Sequence, residues 1–193
     1  MLDSHYRRLA EVTLPHRGRR RYMHGFDLAL PVMAEGYEDY LSIVLSLTQA
    51  AGAVRGRAYM TVDEKTVPAG ATQRRPGPHV DGCFSADRMS WTHDPTWLHV
   101  CNNVPVPRMP VILASDTPGC RAWSGRFEGS PTETGDLSHI SHLLGEGEIL
   151  APGVGYLLSP DCVHESLVMP KETKRTFLRI ALPTSFGGCV SEH

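Results

Sequence analysis

The residues best suited to chemistry are the segment Pro78-His79-Val80-Asp81-Gly82 and a distant histidine, His164. Alternate side chains of an extended segment share one face, so His79 and Asp81 can both reach one metal ion. A histidine from a far strand would complete two histidines and one carboxylate on one face of the ion, with the opposite positions open to substrate or oxygen. His-x-Asp also arises by chance, so its context decides its weight.

The part of the chain that must position these residues is rich in strand signals. After Gly56, short apolar or alternating runs are separated by Gly, Pro, Asn and Asp, which is typical of many short strands. The candidate strands are 57–62, 78–81, 97–104, 111–115, 122–127, 148–151, 155–158, 163–168 and 175–182.

One helix precedes the strands. Apolar residues recur at helical spacing between Gly36 and Ala53, and Gly52 can end the helix. The sequence therefore predicts a mainly β protein, a double-stranded β-helix (jelly roll) with a supporting helix near the N-terminus, and a plain β-sandwich is the main alternative. We expect a single domain over 1–193, with an N-terminal arm and helix over 1–56 and a β core over 57–183.

Two segments fall outside this pattern. Residues 1–35 mix basic residues, prolines and short apolar pieces, which indicates an irregular arm or a covering layer. Residues 124–147 are rich in Gly, Ser, Thr and Glu, and they suggest an inserted loop that can cover a site.

The last third of the chain carries the most specific pattern. GEGEILAPGVGYLLSPDCVHESL gives a glycine-rich turn, an apolar strand, a Pro-Asp turn and the strand of His164, and KRTFLRIALP follows as a final strand with arginines. His-x-Asp, a distal histidine and a later arginine in this order resemble the Fe(II)- and 2-oxoglutarate-dependent dioxygenases over residues 57–183.

That resemblance implies an oxidoreductase in which His79, Asp81 and His164 hold Fe(II). Its co-substrate 2-oxoglutarate would chelate the iron and place its far carboxylate on Arg175 or Arg179. With O2, such an enzyme hydroxylates a C–H bond and releases succinate and CO2.

The arginines also fit this chemistry by position. Arg175, Phe177 and Arg179 alternate onto one face of the last strand, so both guanidinium groups point to the same side unless the strand is bulged. A dicarboxylate is a natural partner for such buried cations. Arg74 or Arg75, just before the metal segment, is a candidate second anchor for the co-substrate, with an ordinary loop arginine as the alternative.

Other polar residues compete for a place in the site. His139 and His142 form a His-x-x-His pair, but their polar loop favours a surface role or a substrate contact. The predicted strand 97–104 carries Asn102 and Asn103 on opposite faces, and periodicity leaves open which face lines a pocket.

The substrate is the least constrained part. A small molecule or free amino acid is our first expectation, and the oligomeric state stays open. A weaker resemblance to the methylcytosine-oxidising branch rests on Arg74 and on the basic run His16-Arg17-Gly18-Arg19-Arg20-Arg21, with Trp91, Trp97 or Trp123 available to stack on a flipped base. A net charge of -2 and a pI near 6.5 argue against nucleic acid as partner.

Two other function classes stay open. A cupin-like metal enzyme would keep the three metal ligands without needing Arg175 and Arg179, and a binding module would keep the fold without metal. No apolar run approaches the ~18 residues of a membrane span. We therefore expect a cytoplasmic protein without membrane contact, and its five scattered cysteines are expected to be reduced.

Overall fold

The computed structural model describes residues 1–81, 109–183 and 186, and these residues form a six-stranded, a three-stranded and a two-stranded antiparallel sheet with one α-helix outside. The helix, α1, spans Leu41–Ala51 and follows a short 3-10 helix, Glu38–Tyr40; a second 3-10 helix spans Ser138–Leu143. The strands are β1 Leu2–Ser4, β2 Tyr6–Glu11, β3 Arg20–Asp27, β4 Arg57–Val67, β5 Val111–Ser115, β6 Cys120–Trp123, β7 Gly125–Phe127, β8 Glu148–Ile149, β9 Val154–Leu158, β10 Val163–Ser166 and β11 Thr173–Ala181.

The large sheet has six strands in the order β2-β9-β5-β11-β4-β3, and the small sheet has the order β10-β6-β8. Single antiparallel pairings place His79 beside both His164 and Asp136, and so extend the small sheet beyond β10. The predicted mainly β, jelly-roll fold with a helix near the N-terminus is confirmed.

Side-chain alternation divides the large sheet into two faces. Met60 and Val62 of β4 and Leu178 of β11 pack with α1 in one apolar cluster. Tyr59 and Phe177, on the opposite face, pack against residues of the small sheet in a second cluster. The space between the sheets is therefore partly a core, and any site must lie where this core ends.

The helix lies where the sequence predicts it. α1 ends at Gly52, whose φ of 79° is the left-handed conformation that glycine adopts at low cost. Its residue Leu47 packs against β9 at Gly155, where an added Cβ would collide with the leucine side chain. The close approach of the helix to the sheet therefore depends on a glycine in β9.

The expectation of an irregular arm over residues 1–35 is wrong. Three strands lie there, and β2 and β3 form the two edges of the large sheet. Edge strands often carry charged residues, because one side of the strand faces solvent. The arginines of these strands obscured the strand pattern for this reason.

Two predicted strand boundaries also differ from the structure. The predicted strand 122–127 is divided at Ser124 into β6 and β7, which belong to different sheets. The strand predicted over 57–62 continues to Val67, because the acidic residues beyond Val62 are buried and paired rather than solvated. The predicted strand 97–104 lies outside the described residues.

Glu64 of β4 shows how this pairing works. Its carboxylate is buried and accepts hydrogen bonds from the backbone N–H groups of Arg17 and Arg19, from the Arg19 guanidinium at 3.0 Å and from the Tyr40 hydroxyl at 2.8 Å. Burial alone would raise the pKa of Glu64, but these donors hold it below its usual value. Part of the basic run is thereby attached to the helix side of the sheet.

No helix in the described part of the chain is both long and apolar enough to cross a membrane.

We predict that Glu64→Gln lowers the free energy of unfolding at pH 7 by about 3 kcal/mol, because it breaks a buried ion pair with Arg19. The folded-state pKa of Glu64 is lowered, so its contribution is complete above the ordinary carboxyl pKa of ~4.3 and is lost as the pH falls through the folded-state value. The difference between wild type and variant should therefore shrink in acid. Urea denaturation at pH 7 and at pH 3 measures both effects.

The matched control is Glu11→Gln. Glu11 is exposed and paired with Arg8 at 3.0 Å, so its loss should change stability by less than ~1 kcal/mol. Equal effects of the two substitutions would contradict the role assigned to Glu64.

Candidate metal centre

His79, Asp81 and His164 meet at the open end of the space between the sheets. One potential ligand atom from each lies within 4.8 Å of the others. The backbone brings them together: the N–H of His79 donates to the carbonyl of His164 at 2.9 Å, and the N–H of His164 donates to the carbonyl of His79 at 3.0 Å. Directly paired residues of antiparallel strands project to the same side, so the two rings lie 4.5 Å apart.

The hydrogen bonds of both histidines leave the same nitrogen available. Nδ1 of His79 lies 2.8 Å from the carbonyl oxygen of Gly77, and Nδ1 of His164 lies 3.0 Å from that of Cys162. A carbonyl only accepts, so each Nδ1 carries a proton, and in the neutral ring Nε2 then keeps its lone pair. This is the second interaction that metal-ligating histidines typically make.

His79 is neutral at physiological pH. Burial, followed by the neighbouring His164 and Arg75, lowers the pKa of His79 to about 3. A neutral imidazole is the form that binds a metal, and protons compete with the metal only in acid.

Asp81 is held as a carboxylate by an arginine of β11. Nη1 of Arg179 lies 3.1 Å from Oδ2 of Asp81, and Nε2 of His164 lies 3.8 Å from the same oxygen. Burial alone would raise the pKa of Asp81, but Arg179 and the two histidines hold it well below its usual range. The group therefore offers two imidazole nitrogens and one anionic oxygen, a donor set that suits a divalent transition metal.

The three residues open onto a cavity of about 200 Å³. Its lining is unusually rich in arginine: Arg74, Arg75, Arg175 and Arg179. As the alternation in β11 predicts, Arg175 and Arg179 face the same interior, and they are only 1% and 5% exposed. Buried cations of this kind need anionic partners.

Arg175 is the most deeply buried of these cations. Its Nε donates to the Oγ of Ser115 at 2.9 Å, and its Nη1 has no hydrogen-bond partner in the part of the chain that the structure describes. The guanidinium packs against Gly119, where an added Cβ would collide with it. Burial lowers the pKa of Arg175, yet an arginine remains charged in proteins.

Arg74 and Arg75, which precede the metal segment in the sequence, also line the cavity. Nη1 of Arg74 lies 3.7 Å from Oδ2 of Asp63, and its guanidinium lies over the rings of Tyr22 and Phe177. Nη1 of Arg75 donates to the carbonyl of Thr134 at 2.6 Å.

The loop 124–147 forms a fixed wall of the site. The N–H of Val80 donates to the carbonyl of Gly135, and the N–H of Leu137 donates to the carbonyl of Pro78, each at 2.9 Å. The loop is thus hydrogen-bonded to the segment of His79 on its side away from β10. His139 and His142 are exposed in the second 3-10 helix of this loop, away from the metal ligands.

Several residues of the site gave no clear signal in the sequence. Ser115, Gly119 and Thr134 matter only through what lies beside them in space. Asp63, which directly follows the largely apolar run 58–62 of the same strand, could have been noticed as a buried charge.

Of the tryptophans predicted to stack on a base and the asparagines considered for the pocket, the structure describes only Trp123. Trp123 is 6% exposed, packs in a third apolar cluster and donates from Nε1 to the carbonyl of Gly145 at 3.1 Å, as a core residue does. Trp91, Trp97, Asn102 and Asn103 lie outside the described residues.

Comparison with known proteins adds little. No protein-family model and no curated protein sequence matches the chain. Among solved structures, a crystal structure of a Pseudomonas putida prolyl-4-hydroxylase is similar, with a TM-score of 0.39 and 18% sequence identity, over 88% of this chain and 75% of that chain. A similarity this low says nothing about activity, so the function must be inferred from the cavity's own residues.

We predict that Asp81→Asn weakens Mn(II) binding to metal-stripped protein by at least tenfold, as measured by calorimetry. A neutral amide is a poorer ligand, and Arg179 would then place an uncompensated positive charge beside the ion. His164→Ala should have a similar effect because it removes a ligand.

His139→Ala, in the exposed 3-10 helix, is the matched histidine control and should leave the Kd unchanged. Mn(II) binding that survives in Asp81→Asn and His164→Ala would place the metal elsewhere.

Proposed function

We propose that the protein is an Fe(II)- and 2-oxoglutarate-dependent dioxygenase that hydroxylates a C–H bond of a small-molecule or amino-acid-like substrate. The observation that supports this most is that one cavity holds a two-histidine, one-carboxylate group and a buried arginine whose Nη1 has no hydrogen-bond partner among the described residues. The first can hold a metal, and the second needs an anion.

Iron suits the donor set. Two neutral imidazoles and one carboxylate on one face, with open positions opposite, are the arrangement found in non-haem Fe(II) oxygenases. His79, Asp81 and His164 would hold the ion, and the carbonyls of Gly77 and Cys162 would fix the orientation of the two rings.

Arg175 is the better candidate to anchor 2-oxoglutarate. Arg179 already pairs with Asp81, whereas Nη1 of Arg175 lacks a partner among the described residues. Ser115 orients the guanidinium through Nε, and Gly119 leaves the space it occupies. A dicarboxylate that reaches the metal at one end would satisfy Arg175 with its far carboxylate.

When bound, iron and 2-oxoglutarate supply the oxidising chemistry: the co-substrate is decarboxylated to succinate and CO2, and O2 gives one oxygen atom to succinate and one to the substrate. The chain's own residues bind and orient. Arg179 keeps Asp81 ionised, Arg175 fixes the co-substrate, and the apolar residues between the sheets close the inner end of the cavity to water.

A nucleobase of DNA as substrate has less support. Arg19 and Arg17 of the basic run pair with Asp39, and Arg20 pairs with Asp63. These side chains are committed to acidic residues of the same chain, so the run is a weaker candidate for binding phosphates than its composition indicates.

The test is incubation with Fe(II), 2-oxoglutarate and ascorbate, with succinate measured alone and in the presence of amino acids, other small molecules, nucleosides and methylated DNA. We expect succinate formation, and addition of one oxygen atom to a small molecule by mass spectrometry. Metal binding without any succinate would favour the cupin-like alternative, and a protein that binds no metal would favour a binding module.

We further predict that Arg175→Leu raises the 2-oxoglutarate concentration for half-maximal succinate formation by at least tenfold, because a charge-assisted pair contributes ~1.5–3 kcal/mol. Gly119→Ala should raise it as well, since the added methyl displaces the Arg175 guanidinium.

Ser115→Ala removes the hydrogen bond from Nε of Arg175, together with the one that the Ser115 hydroxyl donates to the carbonyl of Thr176, and serves as the graded control, with a smaller change expected. Unchanged co-substrate dependence in Arg175→Leu would remove this arginine from the site.

A further inference from the structure

The described lining of the cavity carries more positive charge than the proposed function uses. Its four arginines face two carboxylates, Asp81 and Glu165. Asp81 pairs with Arg179, and Glu165 pairs with Arg121 at 3.0 Å. With 2-oxoglutarate on Arg175, Arg74 has only one carboxylate partner among the described residues, Asp63 at 3.7 Å.

The excess of positive charge is concentrated around Asp63. This carboxylate is fully buried, with Arg20 Nε at 2.9 Å, Arg74 Nη1 at 3.7 Å and Lys65 Nζ at 4.0 Å. Burial, together with Arg20, Arg74 and Arg175, lowers the pKa of Lys65 despite the nearby Asp63. One carboxylate thus serves three cations, and an anion that approached them would be attracted.

Arg74 is the member of this cluster that reaches the cavity. Its guanidinium lies over Tyr22 at 5.3 Å and over Phe177 at 5.5 Å, so aromatic faces hold its plane. Its backbone N–H donates to Oγ of Ser166, in the strand of His164, at 3.2 Å. Its side chain is 26% exposed, whereas Arg175 is 1% exposed, which places Arg74 at the mouth and Arg175 at depth.

We infer that the primary substrate carries an anionic group, a carboxylate or a phosphate, which binds Arg74 at the mouth of the cavity while the C–H bond to be oxidised lies at the metal. This inference rests on the proposed function and names its substrate class. It also gives Arg74 a different role from the second co-substrate anchor that the sequence suggests, because Arg175 already supplies the deep cation and Arg74 lies nearer to solvent.

The substrate is a small anion rather than a nucleic acid. The cavity of about 200 Å³ is small, and Arg20 of the basic run, which shares Asp63 with Arg74, pairs closely with that carboxylate. A nucleic acid would need a continuous track of available cations.

The first experiment uses sulfate as the probe anion and protein loaded with Mn(II) and 2-oxoglutarate, so that the Arg175 site is filled. We expect calorimetry to detect sulfate binding that Arg74→Gln weakens at least tenfold, that Arg74→Lys retains in part, and that Arg126→Gln leaves unchanged. Arg126 is exposed and lies on β7. No sulfate binding, or equal binding in Arg74→Gln, would overturn the inference.

The second experiment compares matched substrates by succinate formation: N-acetyl amino acids against their methyl esters, and nucleoside monophosphates against nucleosides. Anionic members should stimulate turnover more than their neutral partners, and Arg74→Gln should remove that preference while changing the KM for 2-oxoglutarate less than about threefold. Neutral partners that work equally well, a large rise in that KM, or stimulation by oligonucleotides alone would each overturn the inference.

A different result is expected if the protein is not a 2-oxoglutarate-dependent dioxygenase. In that case 2-oxoglutarate does not bind to the Mn(II)-loaded wild type, and no succinate forms under any condition. A failure of the present inference leaves both intact and changes only the response to anions.

Discussion

Two backbone hydrogen bonds between His79 and His164 are the constraint on which the candidate site depends. They join a segment near the middle of the chain to β10, and they make the two imidazoles direct cross-strand neighbours. Asp81, two residues along, then falls on the same side as His79. A shift of one residue in this pairing would turn the ligands away from each other, so the metal site is as well specified as the register of the small sheet.

The second organising feature is the set of charged residues that are buried between the sheets. The inward positions of β4 and β11 include Asp63, Arg175 and Arg179 at places where a core would normally have apolar residues. Some of these charges compensate each other, as Arg179 and Asp81 do. Others, such as Arg175, lack a matching anionic partner among the described residues. This excess of positive charge indicates that a ligand of the cavity is an anion. Glu64, on the opposite face of β4, is fully satisfied, and its function is structural.

Sequence reasoning could predict those parts of the molecule that depend on local spacing. The alternation of Arg175, Phe177 and Arg179, the pairing of His79 with Asp81, and the helix that ends at Gly52 all follow from the geometry of a strand or a helix. The strands before residue 28 could not be predicted, since the arginines of edge strands conceal the pattern. The roles of Ser115, Gly119 and Asp63 could not be predicted either, because each depends on a neighbour that is distant in the sequence. The choice of Arg175 over Arg179 as the candidate anchor for 2-oxoglutarate required the structure, because it depends on which arginine pairs with Asp81.

Nη1 of Arg175, which has no hydrogen-bond partner among the described residues, would also couple ligand occupancy to folding. A buried donor without an acceptor costs about 1–3 kcal/mol, and more when the group is charged. An anion that binds there recovers this energy in the folded chain only, so the folded population rises with ligand concentration by mass action. Because proteins are typically stable by only ~5–15 kcal/mol, that coupling would make the cellular lifetime of the protein depend on the supply of the anion that binds there.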